Sequence, residues 1–145
     1  MKKILYILLL LPIGLNNLNA ANEEILLETL GVLTVHGVLL TQDALATQYD
    51  AWVGETYSDK VFQDYLKTDQ ETIKGVQEEL YRLSQYGDLH YADAEYIDNL
   101  IALYDAILIQ LNSMLKYSYS YSESDYKQYM YHREIVLNMI DKMFL

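Results

Sequence analysis

Three histidines, at positions 36, 90 and 132, are the side chains of this sequence best suited to bind a metal or pass a proton near neutral pH. A di-metal carboxylate site in a helical bundle needs Glu-x-x-His, because that spacing aims both ligands the same way. Leu33, Gly87 and Tyr129 stand three residues before the histidines, so the pair is missing. His90 and Asp93 come nearest, and a solvated helix start explains them equally well. His132 lies among Met114, Met130 and Met139, the residue types of a His/Met haem site, but methionines on an apolar stripe are ordinary core filler. No cysteine is present, which excludes a thiol nucleophile, an iron–sulfur cluster and thioether-linked haem. The six glycines (14, 31, 37, 54, 75 and 87) are too scattered to cradle a phosphate, and no Gly-x-Ser-x-Gly elbow occurs. The expectation is a non-enzymatic chain with no cofactor and no metal.

Two constellations remain. Fourteen of the 15 tyrosines follow residue 20, and six crowd into YSYSYSESDYKQYMYHR, residues 117–133. Tyrosine offers a large amphipathic contact area at small rotamer entropy, and Tyr/Ser mixtures serve as recognition surfaces. Tyr117, Tyr119, Tyr121, Tyr126 and Tyr129 are therefore the candidate partner-binding residues. The alternative is that these rings cap one end of a core, with the Tyr117, Tyr119, Tyr121 alternation forming a short extended piece. The second constellation is a candidate buried polar layer of His36, Asp69, Asp105 and Arg133, each 11 to 13 residues from the end of its helix in an antiparallel count. A buried Asp69 and Arg133 would need each other or a ligand. The alternative places Arg133 toward solvent and Asp69 on a flank.

Helices must position these residues. The first is expected from about Asn22 to about Tyr49, with acids at its start, where they favour the positive end of the dipole. Its middle, Gly31 to Leu40, is apolar on nearly every side and predicts burial from several directions. The second runs from an N-cap at Ser58 to just before Gly87, with Phe62, Leu66, Ile73, Val76, Leu80 and Leu83 on its stripe. The third spans about Tyr91 to Tyr117 on the strict 4,3 series Ile97, Ile101, Tyr104, Leu108, Leu111, Leu115. The fourth begins near Ser122 or Ser124, where Ser122 and Asp125 resemble a capping box. Tyr126, Met130, Leu137, Ile140 and Phe144 form its expected apolar stripe to the C-terminus. Short connections make successive helices antiparallel, giving an all-α, up-down-up-down four-helix bundle.

Lys2 and Lys3, the apolar run Ile4 to Leu15 and the polar segment Asn16 to Ala20 occur in the order of a secretory signal peptide. That run is shorter than the about 20 residues a membrane span needs. Residues 1–20 are expected to be a signal peptide cleaved after Ala20, or after Ala21, leaving residues 21–145 as a single helical domain. The exported chain, periplasmic or extracellular, would have no further membrane insertion. Without Lys2 and Lys3, 8 basic residues face 21 acidic ones, a formal charge of −13. Such a charge repels nucleic acid and steers toward a basic protein partner. These features favour a non-catalytic binding module of the cell envelope or secreted space. The alternative is a small-ligand or metal-binding four-helix sensor or carrier.

Overall fold

The computed structural model describes residues 20–86 and 89–144. Four helices follow one another: α1 Ala20–Val53, α2 Asp59–Tyr86, α3 Tyr91–Ser120 and α4 Glu123–Phe144. No strand occurs among the described residues. Apart from Ala20, the expected signal peptide lies outside them. Backbone proximity divides the chain into two compact units, residues 1–38 and 39–145, so α1 contributes to both.

In the first unit, the imidazole Nδ1 of His36 lies 2.8 Å from the Val32 carbonyl one turn earlier, and the side chain is exposed. The stretch Gly31 to Leu40 is not buried from several directions as its composition predicts. Val32, Leu33 and Leu39 are exposed, and so is Leu40 at 62%. Apolar residues occupy every side of this stretch, so the outward positions are apolar as well.

In the second unit, sequence signals account for the helix ends. Ser58 caps α2: its carbonyl accepts the Phe62 N–H at 3.0 Å, and its Oγ lies 3.4 Å from the Val61 nitrogen. Ser122 caps α4, its Oγ accepting the Asp125 N–H at 3.1 Å and donating to Asp125 Oδ2 at 2.9 Å, but the reciprocal bond of a capping box is not made, because the Ser122 N–H goes to Ser120 Oγ at 3.1 Å. α1 continues past Tyr49 to Val53, and α3 continues past Tyr117 to Ser120, so the Tyr/Ser alternation is helical rather than extended.

The core forms where apolar residues recur at helical spacing. α2 buries Phe62, Leu66, Ile73 and Leu80. α3 packs against both α2 and α4 and buries the widest stripe, including Ile97, Leu100, Leu103, Ile107, Leu111 and Met114. Full burial of each such side chain stabilises the fold by roughly 1.5–3 kcal/mol. α4 differs from expectation in which side it buries. Ile140 is buried as expected, but Asp125, Tyr129 and Val136 face inward with it, whereas Tyr126, Met130 and Leu137 are exposed. The inward series contains an acid, Asp125, that Lys116 holds at 2.6 Å.

A polar ladder fixes α2 against α3. Gln63 Nε2 donates to the Ser118 carbonyl (3.2 Å), Gln70 Nε2 to Asn112 Oδ1 (2.8 Å), Gln77 Nε2 to Asp105 Oδ1 (2.7 Å) and Ser84 Oγ to Asp98 Oδ1 (3.4 Å). Numbers rise on α2 as they fall on α3, so these two helices are antiparallel. The donors recur every seventh residue, the period of helices that pack side by side along a seam.

Candidate functional site: the aromatic end

α1 ends and α2 begins beside the junction of α3 and α4, and a cluster of aromatic residues from all four helices gathers there. Trp52, at the end of α1, stacks on Phe62 of α2 with ring centroids 4.6 Å apart and planes inclined by 8°. Tyr117 meets the indole edge-on at 5.6 Å, and Tyr121 leans over it at 5.6 Å. Tyr126 joins Tyr117 at 5.3 Å, and Tyr129 joins Tyr49 at 5.4 Å. Such pairs contribute about 0.5–1.5 kcal/mol each beyond their buried area.

Asp59, the first residue of α2, ties the cluster together. Its Oδ1 accepts the Trp52 Nε1–H at 2.8 Å and also the Tyr121 hydroxyl proton. These two donors hold the Asp59 carboxyl below its usual range, and the same bond raises the Tyr121 phenol. Burial pushes Tyr49 and Tyr129 up to about 12, so both stay neutral.

Two residues here have left-handed backbone: Glu55 (φ 60°) after α1 and Tyr121 (φ 52°) after α3. The left-handed region costs a side-chain-bearing residue on the order of 1–2 kcal/mol. Gly54, the residue best suited to it, stands one position too early, packed where an added Cβ would lie 3.0 Å from the Asp50 carbonyl oxygen. The Glu55 and Thr56 amides instead close the helix on the Trp52 and Ala51 carbonyls. Between Trp52, Tyr57, Asp59, Tyr117 and Tyr121 runs an open groove of about 560 Å³, with Glu55 on its rim.

The five candidate tyrosines are not equivalent. Tyr119 (58%) and Tyr121 (56%) are exposed, Tyr126 is exposed on one side, and Tyr117 is half-buried. Tyr129 is only 2% exposed, packed on Tyr49 and Tyr126, so it supports the cluster and offers no surface to a partner.

The four residues expected in a polar layer occupy separate places. His36 belongs to the first unit and is exposed. Asp69 is half-buried and accepts from Gln48 Nε2 at 3.0 Å, and burial raises its carboxyl above the usual range. Asp105 is exposed and accepts from Gln77. Arg133 is half-buried and lines an outer groove of α4 with Tyr126, Met130 and Leu137. Among the described residues no hydrogen bond or ion pair joins any two of the four. Glutamines occupy the interior instead. Gln110, 1% exposed, donates from Nε2 to Gln42 Oε1 at 3.3 Å. Gln110 Oε1, Gln42 Nε2 and Gln48 Oε1 are buried without a partner among the described residues. Hydropathy reads glutamine as a surface residue, so no local signal singled out Gln42, Gln48 or Gln110.

Among the described residues no three His, Asp or Glu side chains converge as a cation site, and no helix is long and apolar enough to cross a membrane. Compared with models of known families, with curated proteins and with solved structures, the chain matches none.

Proposed function

We propose that the chain is exported after loss of residues 1–20, folds as an up-down-up-down four-helix bundle and acts as a non-catalytic binding module for a basic protein. The observation that carries this is the pairing of exposed tyrosine rings with a rigid aromatic base. Tyr119, Tyr121 and Tyr126 present accessible area, while Trp52, Phe62 and Tyr129 hold the surface from beneath. Rigid tyrosines lose little entropy on binding, which is why they concentrate at interfaces. Charge favours a basic partner, since the chain carries 21 acidic against 10 basic residues and α1 holds no lysine or arginine.

Two measurements test this. Protein recovered from envelope or medium should have the intact mass of a chain starting at Ala21 or Asn22, and a species retaining Met1 to Ala20 would contradict export. Capture of a basic protein from envelope extract should be lost when Tyr119, Tyr121 and Tyr126 are all changed to Ser. The protein should stay folded with a lowered melting temperature, because Tyr121 and Tyr126 also make ring pairs that contribute about 0.5–1.5 kcal/mol each. Capture that survives the triple change counts against the tyrosine surface.

A small-ligand carrier is the second proposal, favoured by the unpartnered amide atoms of Gln42, Gln48 and Gln110. Native mass spectrometry showing a retained ligand would favour it over the first.

A further inference from the structure

We propose that the groove beside Trp52 is a guanidinium site, in which an arginine side chain of the basic partner lies on the outer face of Tyr121 and donates to Asp59 Oδ2. This rests on the binding-module function and names the chemistry of its recognition.

Hydrogen bonding at Asp59 is one-sided. The Trp52 indole and the Tyr121 hydroxyl both donate to Oδ1, and Oδ2 has no partner among the described residues. The carboxylate is thereby oriented while half of its acceptor capacity stays open to the groove. Glu55 on the rim is likewise unpaired among the described residues. Among the described residues no cation pairs with either acid. Lys60, the nearest cation in sequence, is held by Asp64 at 2.6 Å, and Lys116 is held by Asp125 at 2.6 Å. α1 and α3 both end at this groove, and neither has a basic residue in its last turn. α2 begins at the same groove with Asp59, so its positive end offsets one of these two negative ends, and the two carboxylates are what favour a cation.

The walls select which cation. Phe62 covers one face of Trp52, and Tyr121 leans toward the indole at 5.6 Å, so the aromatic residues do not form a closed cage for a quaternary ammonium. The accessible ring is Tyr121, 56% exposed, with Asp59 at its hydroxyl end. A flat, weakly hydrated cation that stacks on an aromatic face while donating in its own plane fits this arrangement. Guanidinium has those properties, whereas the lysine ammonium is compact and strongly hydrated. Tyr121 also keeps a left-handed backbone in which an aromatic residue is strained, and that geometry places its ring over the groove.

Trp52 is the single tryptophan of the chain, so its fluorescence reports on the groove directly. The probe is N-acetyl-arginine amide, titrated into the whole protein beside N-acetyl-lysine amide and the uncharged isostere N-acetyl-citrulline amide. The expected result is a saturable change with arginine at a dissociation constant on the order of millimolar, as suits a single small group. Lysine should bind more weakly and citrulline should give no saturable change. Asp59→Asn keeps an oxygen to accept from Trp52 and should weaken arginine binding by about tenfold or more, the usual cost of losing a charged acceptor. Tyr91→Ser, at the opposite end of α3 from the groove, should leave it unchanged. An arginine response equalled by citrulline, or unchanged in Asp59→Asn, would overturn the proposal, and the citrulline comparison decides even if that variant fails to fold. A basic partner captured by the tyrosine face with full strength in Asp59→Asn would remove the guanidinium site while the binding-module function stood. Arginine binding with no tyrosine-dependent capture would do the reverse.

Discussion

Gln48 donates from Nε2 to Asp69 Oδ2 at 3.0 Å across α1 and α2, while the carbonyl oxygen of the same amide is buried without a partner among the described residues. A carboxylate has no proton to offer that oxygen. A carboxylic acid has one, and would close the amide and the acid into a doubly bonded pair.

The pH dependence follows from that geometry. Burial raises the Asp69 carboxyl above its unfolded value, and the Gln48 donor lowers it only in part. A raised acid stabilises the fold fully below its unfolded pKa and loses that contribution as pH rises through the folded one. Asp69→Asn should therefore be more stable than the parent at pH 7, with the advantage shrinking as pH falls toward 4. Urea midpoints at several pH values check this, and a constant difference between the two proteins would count against it.

Gln110 and Gln42 share one long hydrogen bond and leave one buried atom each unsatisfied. Changing Gln110 alone to Leu should cost about 1–2 kcal/mol by stranding Gln42. Changing both to Leu should restore stability to near the parent value, since removing both polar partners of a buried pair is often neutral. The coupling in a double-mutant cycle should then equal the sum of the two single losses, on the order of 2–3 kcal/mol, and additive losses would mean the two amides act independently.

Glu55 occupies a left-handed position for which glycine is suited. Glu55→Gly should raise stability by about 1 kcal/mol, with the gain appearing as a higher denaturant midpoint at unchanged slope. A loss of stability would show that the glutamate side chain supports the turn.

Ser122 caps α4, and Ser122→Ala should cost about 1 kcal/mol. Asp125, beside it, is held down to about 2 by Lys116 first and then by Ser120 and Ser122. A lowered acid contributes stability above its unfolded pKa and loses it as pH falls toward the folded value. Asp125→Asn should remove the part of acid unfolding that sets in between about pH 4 and pH 2, which thermal melts across that range would show.

How far the sequence discloses this structure depends on whether a residue's partner is local. The four helices were legible because Ile97, Ile101, Tyr104 and Leu111 repeat at helical spacing and because Ser58 and Ser122 mark two starts. The inward side of α4 was not, since Tyr126, Met130 and Leu137 are as apolar as the Tyr129, Val136 and Ile140 that are buried. The Tyr/Ser tract stood out, but its division into exposed Tyr121 and buried Tyr129 depends on α1, which supplies Trp52 and Tyr49. The bond from Tyr121 to Asp59 joins residues 62 apart, and no local pattern announces it.

The ladder between α2 and α3 behaves like two combs. A slide of one to six residues misses the teeth, but a slide of seven brings Gln63 to Asn112, Gln70 to Asp105 and Gln77 to Asp98, all sound donor–acceptor pairs. The hydrogen bonds therefore set fine alignment and leave a coarse ambiguity of about 10 Å, seven residues at 1.5 Å each. Four residues separate Tyr86 from Tyr91, and that slide would bring the two helix ends closer together, so the connection does not forbid it. The apolar core does, because the slide would carry Asp59 into the buried place of Leu66.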